Sequence, residues 1–483
     1  MINKLIFFFC CLFFATNEKT PKTDVDPTPK SMIQKADTAA IYAPSDGQIY
    51  NAKVLANFFQ KLEEIEDKKN QKINIVHIGD SHIQGDLMTN EIRKKLQQKF
   101  GNAGRGLVFP YQLAKTNGSY NERFKSNRTW ESYRNIHPVK NCPIGLSGIG
   151  LWRDSGGFVM EMNVKDLAYK FNTIKIITPQ NQNMFDLAIS SKINSIQTTE
   201  PKVITHKIKK GEVLGTIADK YNVSIAEIKR DNHLKSNNIR AGRTLRISTK
   251  ETRQKTISMS EFVPLAIKSD SYSHYYNSEN ALSRIFLIPN KEAKDFELNG
   301  IVLEKDTPGI IYSGIGVNGA KYSDYNKYPL FFDQLKSLHP DLLVFSLGTN
   351  ESYDHLDTSN YIKELREFIR NIRAQKIDAP IIVMTPPPSL LRRKPNTYID
   401  DYAKQIIDIA QKDGLAVWDL YDEFGGMSGV RQLKVQGLIG KQLKVQGLIG
   451  PDWVHYSKKG YEKQGNLFTQ AFLRSYDNFK LKK

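Results

Sequence analysis

Cysteine is scarce in this chain: Cys10, Cys11 and Cys142 are its whole complement. The first two lie inside an apolar N-terminal run, so loss of that run leaves Cys142 alone and excludes an intramolecular disulfide. A lone cysteine of this kind reads as a buried apolar residue. Long hydrophobic runs are missing too. LIFFFCCLFFA, residues 5–15, is too short to span a bilayer. The basic segment MINK precedes it and polar residues follow at once, the layout of a secretory signal peptide. Phe9 before Cys10 argues against a lipid-anchored cysteine. The expectation is an exported chain without disulfides, in a bacterial periplasm or on the cell surface, with no stable membrane span after cleavage. Nucleic-acid motifs are also absent. The net charge of +18 favours an anionic partner, but the basic residues are scattered rather than striped, so nucleic acid is not the expected partner.

What is present divides the chain into parts. Residues 1–16 form the signal peptide and 17–45, with Pro21, Pro27 and Pro29, a linker. From Val54 the apolar residues Leu55, Phe58, Phe59, Leu62 and Ile65 recur at helical spacing, predicting a helix over 53–69. A strand over 73–79 and a second helix ending at Gly101 follow. The same rhythm returns in DLLVFSLG (341–348), PIIVMTP (380–386) and LAVWDL (415–420), with helices between them and one from Lys458 to Phe472. Apolar strands alternating with amphipathic helices predict a parallel sheet covered on both faces, an α/β domain. The middle, from about 116 to 300, shows β-type runs instead: FNTIKIIT, MFDLAIS, EFVPLAI, RIFLIPN and FELNGIVLE. They predict an antiparallel β-sandwich inserted into the α/β domain. Nested in it, Val203 to Ile247 reads strand, helix, helix, strand. The segment QLKVQGLIG occurs twice, at 432–440 and 442–450, too few copies for a solenoid. It is read as a lengthened surface loop.

Four short stretches carry the chemistry: GDS (79–81), GVNGA (316–320), GTN (348–350) and DWVH (452–455). Each falls at or near a predicted strand end, where sites assemble in open α/β sheets. A serine hydroxyl needs a base for its proton and a group to orient that base. Asp452 and His455, three apart, let the carboxylate reach one ring nitrogen while the other faces Ser81. An oxyanion needs donors: the backbone N–H groups of Ser81 and Gly319 and the side-chain amide of Asn350 are the candidates. Any one stretch alone is an ordinary turn, cap or surface pair. His82 is read as structural, because adjacent residues on a turn diverge, and His77 as a core residue. His355 is a candidate for the pocket wall, and GNAGRG (101–106) for the rim of a substrate cleft.

In combination these blocks resemble the SGNH hydrolases, the GDSL-type esterases and lipases, over roughly 46–115 and 301–483. The resemblance implies a flavodoxin-like three-layer fold, with Ser81 as nucleophile, Asp452 and His455 completing the triad, and Ser81, Gly319 and Asn350 as the oxyanion hole. It implies no metal and no cofactor. GDSH stands here where GDSL is commoner. The nested segment resembles a LysM domain through residues such as His206, Lys209, Tyr221, Ile239 and Gly242. That implies binding of N-acetylglucosamine-containing glycans, peptidoglycan above all, with Gly211, Val213, Leu214, Asn232 and Leu234 as candidate glycan contacts. Val213 departs from the usual threonine. The resulting layout is 46–115 hydrolase, 116–202 β-sandwich insert, 203–248 LysM, 249–300 insert, 301–483 hydrolase. The split domain with its insert resembles peptidoglycan O-acetylesterases, so the expected function is an exported serine esterase acting on acetyl groups at C6 of N-acetylmuramic acid. The alternatives are an acetylesterase for another polysaccharide, an acetyltransferase, and a wall-binding protein with an inactive catalytic fold.

Overall fold

The computed structural model describes residues 47–68, 70–137, 143–193, 196, 199–254, 257–435 and 448–482. The expected signal peptide and linker, Cys142 and most of the repeated segment lie outside the described residues.

Strands rich in Ile, Val, Leu and Phe form a parallel core. Its spatial order is Ala416–Trp418, Ile381–Met384, Leu342–Ser346, Lys72–Gly79, Gly309–Gly316, Asn102–Val108. Alternation along a strand decides which layer each side chain joins. Leu342 and Val344 face one core with Phe59, Leu96 and Phe472, while Leu343 and Phe345 face the other with Leu365, Phe368 and Ile406. Helices Ala56–Lys68, Leu87–Phe100 and Lys458–Leu481 therefore cover one face, and Pro329–Leu335, Thr358–Ala374 and Thr397–Ala410 the other. This is the expected three-layer α/β fold.

The inserted region is less separate than the sequence predicts. Gly300–Glu304 pairs antiparallel with Asn102–Val108, and Phe171–Ile177, His274–Leu282 and Lys268–Ser269 follow; with Ile49–Tyr50 antiparallel to Ala416–Trp418 at the opposite edge, the sheet has 11 strands. The remaining strands form a five-stranded and a three-stranded sheet. These pack through Trp130, Phe158, Phe185 and Phe296, with ring centroids 4.8 Å apart for Trp130 and Phe158 and 4.9 Å for Phe158 and Phe296. FELNGIVLE is thus not one strand. It breaks at Asn299, so that Phe296–Leu298 joins the small sheet and Gly300–Glu304 the large one. EFVPLAI yields only the short edge strand Val263–Pro264, where a proline lacking its N–H is tolerated.

Two further expectations are corrected. GNAGRG does not rim a cleft: it runs into the buried strand Asn102–Val108. A Cβ on Gly104 (φ 135°) would sit 2.6 Å from the Glu304 Cα, so the glycine lets two backbones approach. The last helix continues past Phe472 to Leu481. Tyr476 explains the extension, since its fully buried ring packs on Phe59 and Phe100 and its hydroxyl donates to Glu66 at 2.7 Å.

The nested module folds as Thr199–Lys207, Leu214–Tyr221, Ile225–Asp231 and Thr244–Gln254, with its own core of Ile208, Leu214, Ile217, Ile228, Leu245 and Ile247. Ser224 and Glu227 form a capping box at its second helix.

Candidate active site

The Lys72–Gly79 strand lies between Gly309–Gly316 and Leu342–Ser346, and the loops at the carboxyl ends of all three converge. Ser81 opens a short helix, Ser81–Gln84, whose N-cap Asp80 accepts the His82 N–H at 2.9 Å. Gly319 follows the second strand with φ 86°, and Asn350 sits in the first turn of Thr349–Tyr353 after the third. His455 comes from a loop closed by its own backbone. Gly450 N–H donates to the His455 carbonyl at 2.6 Å, Ser457 N–H to that of Leu448 at 3.0 Å, and Trp453 turns the chain at φ 65°.

These loops bring the expected residues together. Ser81 Oγ is 2.7 Å from His455 Nε2, and His455 Nδ1 is 2.6 Å from Asp452 Oδ2. Asp452 Oδ1 accepts the backbone N–H groups of Val454 (3.1 Å) and His455 (3.0 Å). Burial pushes the Asp452 carboxyl up, but its hydrogen bonds from His455 and the two amides outweigh this and hold it below the usual range. An ionised Asp452 places the imidazole proton on Nδ1, leaving Nε2 to accept the Ser81 hydrogen. The His455 and Asp452 side chains are 45% and 49% exposed, so the pair stands at the mouth of the site.

Ser81, Gly319, Asn350 and His455 line one cavity of about 610 Å³, with Asn117, Asn318, Tyr353 and Tyr461 on its walls. Asn350 carries a tension. Its two amide hydrogens already reach Asp80 Oδ2 (3.2 Å) and the Ala320 carbonyl (3.0 Å), so donation to an oxyanion requires one of them to be handed over. Asp80 is buried, and desolvation pushes its carboxyl up to about 7, which weakens its hold on that hydrogen.

The other histidines separate cleanly. His77 is a core residue between Tyr312 (2.9 Å) and Ser346 (2.7 Å). His82 borders the cavity but bonds Tyr461 at 2.9 Å, not Ser81, and burial pushes it down to about 3. His355 is not on the cavity wall and packs edge-on against Tyr398 instead. In the nested module Gly211 and Val213 are exposed, whereas Leu214 is buried core. Asn232 uses its amide to tie Ile228 and Arg246 together, and Leu234 packs on the core. Sequence reasoning missed Gln84, Asn117 and Asn318. Asn318 adjoins Gly319 in GVNGA, but nothing in the sequence marks Gln84 or Asn117.

Comparison with known proteins gives two family matches. Residues 298–463 match the GDSL-like Lipase/Acylhydrolase family and 206–248 the LysM domain. The first segment holds Gly319, Asn350, Asp452 and His455; Ser81 lies outside it, just past the Lys72–Gly79 strand that pairs with Gly309–Gly316 and Leu342–Ser346. No curated protein matches the chain. Among solved structures, one described as "Peptidoglycan O-acetylesterase in action, 5 min" aligns with TM-score 0.55 at 18% identity, over 89% of this chain and 98% of that one. A lipase/acylhydrolase from Enterococcus faecalis covers 34% of this chain and 75% of its own (TM-score 0.24, 21% identity). A carbohydrate esterase family 3 protein from Talaromyces cellulolyticus covers 35% and 72% (TM-score 0.26, 16% identity).

Proposed function

We propose that this chain, which carries a GDSL-type acylhydrolase domain and a LysM domain, is an exported serine esterase that removes O-acetyl groups from peptidoglycan, at the C6 hydroxyl of N-acetylmuramic acid. The observation that carries the reading is the relay from Ser81 through His455 to Asp452, at 2.7 and 2.6 Å, opening on the cavity. The fold likeness to a peptidoglycan O-acetylesterase and the LysM match support this choice of substrate class.

In this mechanism Ser81 Oγ attacks the acetyl carbonyl carbon as His455 Nε2 takes the hydroxyl proton. The carbonyl oxygen becomes an oxyanion, held by the N–H groups of Ser81 and Gly319 and by the Asn350 amide. The C–O bond to the sugar breaks, and His455 returns the proton to the departing hydroxyl. Water, activated by the same imidazole, then releases acetate and restores Ser81. The LysM module holds the enzyme on the glycan through its exposed edge at Gly211 and Val213.

An inactive wall-binding protein would need His455 displaced by the repeated segment. The end of that segment, Leu448 to Gly450, is hydrogen-bonded to the His455 loop, and its bonds favour an intact relay. The test is acetate release from O-acetylated peptidoglycan by the wild type and by Ser81→Ala, with chemically de-acetylated polymer as control. Acetate from the wild type alone supports the esterase. No acetate from either protein, with both pelleting on the polymer, points to the binding protein.

A further inference from the structure

An amide cluster beside the cavity is left unused by this chemistry. Gln84 ends the helix that Ser81 begins and is buried. Its Oε1 accepts the Asn318 backbone N–H at 2.6 Å. Its Nε2 reaches the Asn117 carbonyl (2.7 Å), Thr116 Oγ1 (2.9 Å) and Asn117 Oδ1 (3.1 Å). Asn117 Oδ1 in turn accepts from Asn318 Nδ2 at 2.6 Å. One buried side chain thus joins the nucleophile helix, the turn of Gly319, and the loop leading into the inserted strands.

That turn needs holding. A glycine at φ 86° has many accessible conformations, so its N–H is aimed only if the flanking peptides are fixed. On one side Ala320 is fixed, through its N–H to the Val317 carbonyl and its carbonyl to Asn350, both at 3.0 Å. On the other side the fixed point is Asn318, and Gln84 fixes it. The turn also lies hard against the helix: a Cβ on Gly316 would be 2.3 Å from the Gln84 nitrogen.

We propose that Gln84 is a positioning residue that presets the oxyanion donor at Gly319, and that Thr116 and Asn117 complete its anchorage. The inserted region then belongs to the catalytic centre and does more than bind glycan. The proposal rests on the esterase reading of Ser81.

Gln84→Leu removes both halves of the bridge. Gln84→Glu keeps an oxygen for the Asn318 N–H and loses the donor to Asn117. On para-nitrophenyl acetate, Gln84→Leu should lower kcat about 10- to 100-fold, the scale of a misplacement near 1 Å. KM should stay within about twofold, because the lost interaction acts on the transition state. Gln84→Glu should recover most of kcat. Hydrogen exchange should quicken over both 113–119 and 316–321 in the leucine variant, and over 113–119 alone in the glutamate variant. Unchanged kcat and exchange in a folded Gln84→Leu would overturn the proposal. So would equal kcat losses in the two variants with exchange raised throughout the chain. If the wild type releases no nitrophenol, the esterase reading fails, and the exchange pattern still decides whether Gln84 fixes the turn.

Discussion

Asp452→Asn is the sharpest test of the relay, because the surrounding backbone dictates how the new amide must sit. Asp452 Oδ1 receives two N–H groups, from Val454 and His455. An asparagine can satisfy them only with its carbonyl oxygen there, which turns its NH2 toward His455 Nδ1, 2.6 Å from the position of Oδ2. The NH2 donates, so Nδ1 must accept, and the imidazole proton moves to Nε2. His455 then offers Ser81 a hydrogen where it should accept one. In a comparable serine–histidine–aspartate triad this substitution lowers kcat about 10⁴-fold, close to 5 kcal/mol of barrier at about 1.4 kcal/mol per tenfold. Here the pair is roughly half exposed, and water can compete for both groups, so we expect about 10²- to 10⁴-fold. Asp452→Ala leaves Nδ1 free to be hydrated in either tautomer, and should retain more activity than Asp452→Asn. Both changes are at an exposed site and should leave the melting temperature nearly unchanged. The assay is kcat on para-nitrophenyl acetate, with acetate release from peptidoglycan alongside. An asparagine variant within tenfold of wild type, or one more active than the alanine variant, would refute the assignment of Asp452.

Three other outcomes follow from the same geometry. Arg105 is buried between Glu122 (2.5 Å) and Asp86 (2.7 Å), so Arg105→Met strands the buried Glu122 carboxylate, leaves Asp86 to Arg93 alone, and should cost about 3–5 kcal/mol in urea unfolding; a loss below 1 kcal/mol would contradict the network. Glu351 is fully buried, and desolvation pushes it up to about 8. Its folded state holds a proton that the unfolded chain loses near its ordinary pKa, so stability falls as pH rises toward 8. Glu351→Gln should therefore raise the melting temperature near pH 9 and change it little near pH 5, and an equal shift at both would count against the buried charge. Deleting 432–441 joins Arg431 to Gln442 and regenerates the sequence of helix Gly426–Val435, while Leu448 to Gly450 remain beside His455. Activity should be unchanged or higher; complete loss in a folded protein would mean that the repeat is more than a passive insertion.

Four of the six parallel strands were legible because they are buried on both faces and read as apolar runs; Asn102–Val108 and Gly309–Gly316, interrupted by glycines, were not. Ser81, Gly319, Asn350 and the Asp452–His455 pair were legible because each lies in a short stretch bounded by a strand end. What escaped depends on distant partners. FELNGIVLE alternates well enough for one strand, and only its two sheets reveal the break at Asn299. The glycines of GNAGRG signal a loop when read locally, yet they serve close backbone approach against Glu304 and Ser313. Gln84 looks like any polar turn residue until Thr116, Asn117 and Asn318 are folded against it. His355 is near Asn350 in sequence, but its backbone at φ 58° belongs to the turn after Thr349–Tyr353, and its ring meets Tyr398.

These details bear on why the acylhydrolase match begins only at residue 298. The strand that leads to Ser81 is present in the sheet, but the inserted region separates it in sequence from the segment that matches. The two parts are nevertheless held as one. Asp86, just after the Ser81 helix, is bonded by Arg93 and Arg105, and Arg105 reaches Glu122 on the first inserted strand, Glu122–Ser126. Burial pushes the Asp86 carboxyl up, but Arg105 and Arg93 overcome it and hold it near 2. Asp86 therefore stays charged at any pH above the ordinary carboxylate range, and its stabilising share is lost only as pH falls from about 4 toward 2. Buried ion pairs add little net stability over apolar packing, but removing one partner is costly. Trimming the chain to a bare hydrolase would remove Glu122, Thr116 and Asn117 together. The charge on Arg105 would lose one of its partners, and Gln84, on the Ser81 helix, its anchor. The inserted region is thus a structural condition of the site that it interrupts.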